Sequence, residues 1–395
     1  MDSAGFDGGR LERITDHLME RYVRPGKIAG CQALVARRGH VAYSRSFGCA
    51  DLERGLPVRD DTVWRIYSMT KPITSVALMT LYERARFQLT DPVHRYIPEW
   101  KGIQVCEVEG DRTRLVEPLR PPSVRDVLTH TAGLSYGGDP SHPVDQAYAE
   151  AGLRDADIGL DELARRLGAL PLKFHPGTRW HYSFATDVCA RLVEVIADRP
   201  FGDYLRETIF DPLGMDDTGF TVPEHARDRF AVNYRRAEDG TLRVEPDSPN
   251  RPYLRPHAMQ SGGGGLVSTT PDYLRFCEMV RRGGELDGHR VLGSRTVRYM
   301  TRSHLPGGAV LSDIALGAFG ETGFAGVGFG LGFAIALDSS ATQVIGSPGE
   351  FYWGGAASTA FWIDPSEELF VVFLTQLMPS STYPFRAQLR SLVYA

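Results

Sequence analysis

The sequence predicts an α+β protein, an antiparallel sheet flanked by helices and joined to a mostly helical domain. Three observations predict it. β-rich runs stand near both ends of the chain, a strongly apolar helical stretch follows the first of them, and helical periodicity dominates residues 85–255.

Taken in order, Leu11, Ile14, Leu18 and Tyr22 recur at helical spacing and predict an amphipathic first helix over 10–23. Residues 28–36 and 41–47 are β-rich runs separated by Arg37-Arg38-Gly39-His40, which predicts a hairpin. A strand-like run at 64–68 leads into Thr74–Tyr82, apolar on all sides and so expected to be a buried helix. Helices are expected at 123–128, 160–167 and 185–197, between loops containing Pro and Gly. From Gly262-Gly263-Gly264-Gly265 the texture changes to a capped helix starting near Thr270-Pro271-Asp272. Strand-like runs follow at 329–337, 352–363 and 369–375, and a last helix at 384–393. The expected organisation is a discontinuous α/β domain, 1–84 with 256–395, whose sheet is assembled from both ends, and a helical insertion domain at 85–255.

Composition narrows the function. With 395 residues, 42% hydrophobic, 24% charged and a net charge of −5, the chain carries no electrostatic footprint for nucleic acid or an anionic membrane. Its five cysteines are scattered and lack Cys-x-x-Cys spacing, which argues against a disulfide framework or zinc site and for free thiols. The eleven histidines include no His-Glu-x-x-His pair, and no glycine run has nucleotide-binding spacing, so neither metal nor cofactor is expected. The N-terminus has no basic patch followed by an apolar run, and no apolar stretch reaches the length of a membrane helix; a cytoplasmic location is the expectation.

Chemistry is concentrated in three places. Ser68-Met69-Thr70-Lys71 opens the apolar helix, where residues three apart share a face and the helix N-terminus adds partial positive charge. A partly buried lysine of depressed pKa can take the proton that keeps a serine hydroxyl a weak nucleophile. Only Lys27, Lys71, Lys101 and Lys173 are lysines, and a lone Ser-x-x-Lys also arises by coincidence. Here the strand before it, the apolar helix after it and Pro72 early in that helix add weight.

Tyr182, in the turn Pro176–Ser183 before the helix at 185, is the second candidate. A phenol near a lysine ammonium can titrate low enough to serve as general base and later as acid, although buried aromatics are more often packing. The third is Tyr352-Trp353-Gly354-Gly355-Ala356, where paired glycines at a strand start allow close approach of backbone or ligand. Backbone amides there, with that of Ser68, could form an oxyanion hole; a plain bulge is the alternative. Ser135, in Gly133-Leu134-Ser135-Tyr136-Gly137, matches Gly-x-Ser-x-Gly, but a helix precedes it where a nucleophile elbow needs a strand.

These three features, in this order, resemble the serine β-lactamase and penicillin-binding-protein superfamily, most closely the class C-like carboxylesterases called family VIII. Supporting stretches are Leu128–Leu134, Asp211–Met215 and Gly262–Thr269, and the likeness runs along nearly the whole chain. The resemblance implies a β-lactamase-like fold, Ser68 as acylated nucleophile, Lys71 and Tyr182 as proton network, and the Ser68 and Ala356 amides around the oxyanion. Two departures bear on substrate. Phe184 stands where β-lactamases carry the Asn of Tyr-x-Asn, and Trp353-Gly354-Gly355 replaces Lys-Thr-Gly. Trp353, Gly354, Gly355 and Phe184 are therefore expected to line a site for esters of small or hydrophobic acids, with a small-molecule ester as the partner and an acyltransferase or β-lactam-directed activity as alternatives.

Overall fold

The computed structural model describes residues 4–110, 112–249, 251–317 and 323–395. Eight strands form one antiparallel sheet: β1 (Gly30–Arg37), β2 (His40–Asp51), β3 (Leu56–Pro57), β4 (Val327–Phe329), β5 (Ala334–Ala336), β6 (Phe351–Gly354), β7 (Ala360–Asp364) and β8 (Leu369–Thr375), in the order β4-β5-β6-β7-β8-β1-β2-β3. The two chain ends meet at the seam where Cys31 pairs with Thr375 and Arg37 with Leu369. Every residue of β8 is buried, and all but the last of β1, because helices cover both faces of these central strands.

On one face lie α1 (Gly8–Leu18) and, at the end of the chain, the helix Phe385–Val393, whose Phe385 ring packs 5.1 Å from Phe373 of β8. α1 is capped by the Asp7 carboxylate and continues as a π-helical turn through Val23. On the other face, the helix Thr270–Arg281, started by the Thr269 side chain, sets Tyr273 5.2 Å from Phe361 of β7. Behind it runs α2 (Thr70–Glu83), buried from Thr70 to Leu81 as its all-round apolar sequence requires, and α3 (Ala185–Ala197) packs against it.

Two apolar runs that the sequence presents as continuous are broken. Residues 329–337 divide into β4 and β5 around a turn in which Gly332 has φ 93°; a Cβ there would strike the Ser75 hydroxyl of α2. Residues 352–363 divide into β6 and β7 around the buried turn 355–359. The helical middle also holds strands: Val105–Glu109 pairs with Arg112–Val116, and Tyr234–Arg236 with Leu242–Val244 joins Leu377–Met378. Among the described residues all five cysteines are free, and no helix is long and apolar enough to cross a membrane.

Candidate active site

Ser68 sits in a single 3-10 turn, Tyr67–Met69, between the short strand Trp64–Arg65 and α2. Tyr67 has φ 44°, in the left-handed region that costs a residue with a Cβ about 1–2 kcal/mol. Such a conformation persists only where its surroundings over-determine it. Here Asn233 donates to the Tyr67 hydroxyl at 3.2 Å, and the Ile66 amide donates to the Leu266 carbonyl oxygen at 3.2 Å.

Lys71, one helical step further, is 1% exposed. Its Nζ donates to the Gly263 carbonyl oxygen at 2.6 Å and lies 3.3 Å from Ser68 Oγ and 3.2 Å from the Tyr136 hydroxyl. It also stands 4.3 Å from the centroid of the Tyr182 ring. Burial is the largest influence on this amine and pushes its pKa down to about 7. The Asp187 carboxylate opposes that shift, and the guanidinium groups of Arg251 and Arg154 add to it. At neutral pH a substantial fraction of Lys71 therefore carries a free lone pair beside the serine hydroxyl.

The four-glycine run makes this enclosure possible. It threads between α2 and α3 so closely that a Cβ on Gly262 would lie 2.7 Å from the Ala190 methyl and 3.0 Å from Thr74, and one on Gly263 would lie 2.5 Å from the Asp187 carboxylate. Asp187 holds the run in place, accepting from Ser261 Oγ at 2.6 Å and from the Gly263 amide at 3.0 Å.

The Tyr182 hydroxyl donates to Ser68 Oγ at 2.7 Å. Its ring is caged by His130, Tyr136 and Trp353, with centroids 5.0, 5.4 and 5.5 Å away. Burial raises the phenol pKa, and hydrogen bonds with Ser68 and Trp353 offset only part of the rise. The sequence-based expectation of a phenol titrating low is thus not met: Tyr182 stays protonated at neutral pH and is a donor, because what surrounds it is mostly aromatic and apolar.

A cavity of about 470 Å³ opens over the serine, lined by Tyr67, Ser68, Tyr136, Tyr182, Gly264 and Ala356 among others. The remaining predicted residues are placed differently. Trp353 is buried behind Tyr182 and hydrogen-bonds to it, and among the described lining residues of this cavity it is absent. Its large ring is used to back the phenol rather than to wall the substrate. Gly354 and Gly355 are likewise packing positions. A Cβ on Gly354 would collide with the Arg386 guanidinium, and one on Gly355 with the Thr359 hydroxyl and, at 2.5 Å, the Ile66 carbonyl oxygen. That contact brings the β6 end against the nucleophile turn and leaves Ala356 facing the cavity. Phe184 lines a neighbouring cavity of about 220 Å³.

Ser135 is fully buried, donates to the Asp145 carboxylate and lies 3.2 Å from His181 Nε2, while Lys173 pairs with the same carboxylate. It ties its loop down. Among the described residues no group of three His, Cys, Asp or Glu side chains is placed to hold a metal ion. Sequence reasoning missed Tyr136 and Asp187. Tyr136 lies beside Ser135 and carries no motif of its own, and an acid in the first turn of a helix is ordinary enough to pass as dipole compensation.

A hydroxyl between a buried amine and a phenol, at the floor of a cavity, is the arrangement of a serine hydrolase, and relatives of known activity agree with that class. Residues 11–395 match the Beta-lactamase family model, and the chain belongs to that family. Esterase EstB of Burkholderia gladioli is 32% identical, over 100% of this chain and 98% of its own length. Monacolin J acid methylbutanoyltransferase of Aspergillus terreus is 29% identical over 93% and 91%. Among solved structures, EstCE1, described as a hydrolase with promiscuous acyltransferase activity, superposes with a TM-score of 0.82 at 26% identity, covering 98% of this chain and 99% of the other. The protein is a serine hydrolase of the β-lactamase family.

Proposed function

We propose that the chain is a carboxylesterase of the family VIII type that works through an acyl-enzyme on Ser68. The observation that carries this reading is the position of Ser68 Oγ, 3.3 Å from an amine of pKa about 7 and 2.7 Å from a protonated phenol. In this mechanism neutral Lys71 takes the Ser68 proton as Oγ attacks the ester carbonyl. The Ser68 and Ala356 amides receive the oxyanion, and Tyr182 gives its proton to the departing alkoxide. The phenolate left behind recovers a proton from the Lys71 ammonium that faces its ring. Water then repeats the sequence on the acyl-enzyme and releases the acid.

Phe184 and Trp353, in place of an amide and a lysine, favour esters over β-lactams, because Phe184 offers no hydrogen bond to the lactam amide and Trp353, engaged with Tyr182, brings no charge to the lactam carboxylate. Acyl transfer to an alcohol is the second reading, favoured by the full-length similarity to a methylbutanoyltransferase and to a hydrolase with promiscuous acyltransferase activity. Ser68→Ala should abolish hydrolysis of p-nitrophenyl butyrate and the mass adduct formed by a fluorophosphonate, with the circular dichroism spectrum unchanged. Retained hydrolysis would remove Ser68 from the mechanism. Competition between water and alcohols for the acyl group separates the two readings.

A further inference from the structure

Two guanidinium groups stand at the passage between the cavity over Ser68 and its 220 Å³ neighbour. Arg154 and Arg251 line both. Among the described residues neither has a carboxylate within ion-pair distance, because the nearby acids are engaged elsewhere. Asp247 accepts from Arg65 at 2.5 and 2.6 Å, Glu245 from Arg235 at 2.5 and 3.0 Å, and Asp187 from Ser261 and Gly263. Both arginines are held in place by neutral groups. Arg154 donates to the Tyr136 carbonyl at 3.1 Å and lies 5.3 Å from the ring centroids of Tyr136 and Phe184. Arg251 stands beside Tyr253 and sits 5.8 Å from the Tyr67 ring centroid. The missing Cβ of Gly264 would lie 3.6 Å from Arg251 Nη1 and 3.5 Å from the Tyr67 carbonyl carbon, so the guanidinium is one glycine's width from the peptide leading into Ser68.

Exposed Arg154 and half-buried Arg251 bring two like charges close enough to Lys71 that both weaken its basicity, and the Asp187 carboxylate, already bonded to Ser261 and Gly263, offsets them in part. An anion at the passage would relieve that repulsion and meet two planar, pre-oriented forks suited to a carboxylate. The inner cavity beyond them has Leu153, Leu163 and Met259 among its lining.

We propose that the site selects esters that carry a carboxylate, with Arg251 and Arg154 receiving it at the passage while the ester carbonyl lies against Ser68. The assignment rests on the acyl-enzyme reading above and turns the expected preference for neutral hydrophobic esters into one for charged ones. The carboxylate enters either with the acyl group, as in a half-ester of a dicarboxylic acid, or with the alcohol.

Two matched pairs test it: mono-p-nitrophenyl glutarate against p-nitrophenyl pentanoate, and 4-acetoxybenzoate against its methyl ester. In wild type the charged member of one pair should have the higher kcat/KM by about ten-fold or more at low salt, a preference that shrinks as salt screens it. The pair that shows it identifies the half of the ester that carries the charge. Arg251→Gln and Arg154→Gln should each lower that charged-to-neutral ratio several-fold, while Arg251→Lys restores part of it. Glutarate should inhibit neutral-ester hydrolysis competitively in wild type, a readout that needs no variant to fold. Equal kcat/KM within both pairs, or a preference surviving both Gln variants, would overturn the inference. Hydrolysis of the neutral esters and its loss in Ser68→Ala report on the acyl-enzyme reading separately.

Discussion

Lys71→Met separates the catalytic use of the buried amine from its cost to the fold. Burial lowers the pKa of this lysine from 10.5 to about 7. Between those values the unfolded chain binds a proton that the folded chain does not, so wild-type stability rises with pH across the window and levels off at its lowest below it, where the amine must be buried charged. A shift of that size corresponds to about 5 kcal/mol across the full window and about 3 kcal/mol between pH 6 and 9. Methionine keeps most of the volume and cannot titrate. It leaves the Gly263 carbonyl without its 2.6 Å partner, a loss of about 1–3 kcal/mol that is the same at every pH. The expected result in urea unfolding is therefore a pH-dependent difference: relative to wild type, the variant gains about 3 kcal/mol on going from pH 9 to pH 6. Its ester hydrolysis should fall by about 10²–10⁴ or more, and wild-type kcat/KM should rise with pH through a limb near 7. A stability difference that does not change with pH would show that Lys71 titrates near its ordinary value, and the case for a neutral amine as base would fail with it.

Tyr182→Phe removes the donor 2.7 Å from Ser68 Oγ and should lower kcat by about 10²–10⁴. The loss should be greater for an ethyl ester, whose alkoxide needs a proton to leave, than for a p-nitrophenyl ester, whose phenolate does not; equal losses would speak against Tyr182 as the acid. Gly355→Ala places a methyl against the Thr359 hydroxyl and the Ile66 carbonyl, and should cost about 1–3 kcal/mol and lower kcat by shifting the Tyr67–Ser68 turn. Gly8→Ala, at the start of α1 where a Cβ meets nothing within 4 Å, is the control expected to leave activity unchanged and to raise stability by no more than about 1 kcal/mol.

The elements most legible in the sequence were those whose signal is local. The unbroken apolar run Leu369–Thr375 became β8, central and wholly buried, and the capped start at Thr269 opened its helix where the side-chain oxygen meets the Asp272 amide. The break inside 352–363 was not legible because the turn between β6 and β7 is itself buried. Ala357, Ser358 and Thr359 are 0–1% exposed, and with apolar runs on both sides Ser358 and Thr359 read as part of one strand and the paired glycines as its start. The same applies to Trp353. A tryptophan at a strand end reads as a pocket wall, and only the packing of β6 against the Tyr182 turn turned it into a support for the phenol.

Spacing alone set Ser68 and Lys71 one helical turn apart, and it placed Tyr182 and the paired glycines in turns where a hydroxyl or a backbone could approach them. Those relations hold within a few residues, and chain stereochemistry enforces them whatever the rest of the molecule does. The protonation of these groups belongs to the tertiary structure. Lys71 meets Tyr136 across 65 positions and Gly263 across 192, while Asp187, Arg154 and Arg251 reach it through space, and together they set an amine near neutrality beside a phenol that keeps its proton. Desolvation and Coulomb energies depend on what closes over a group rather than on what precedes it in the chain.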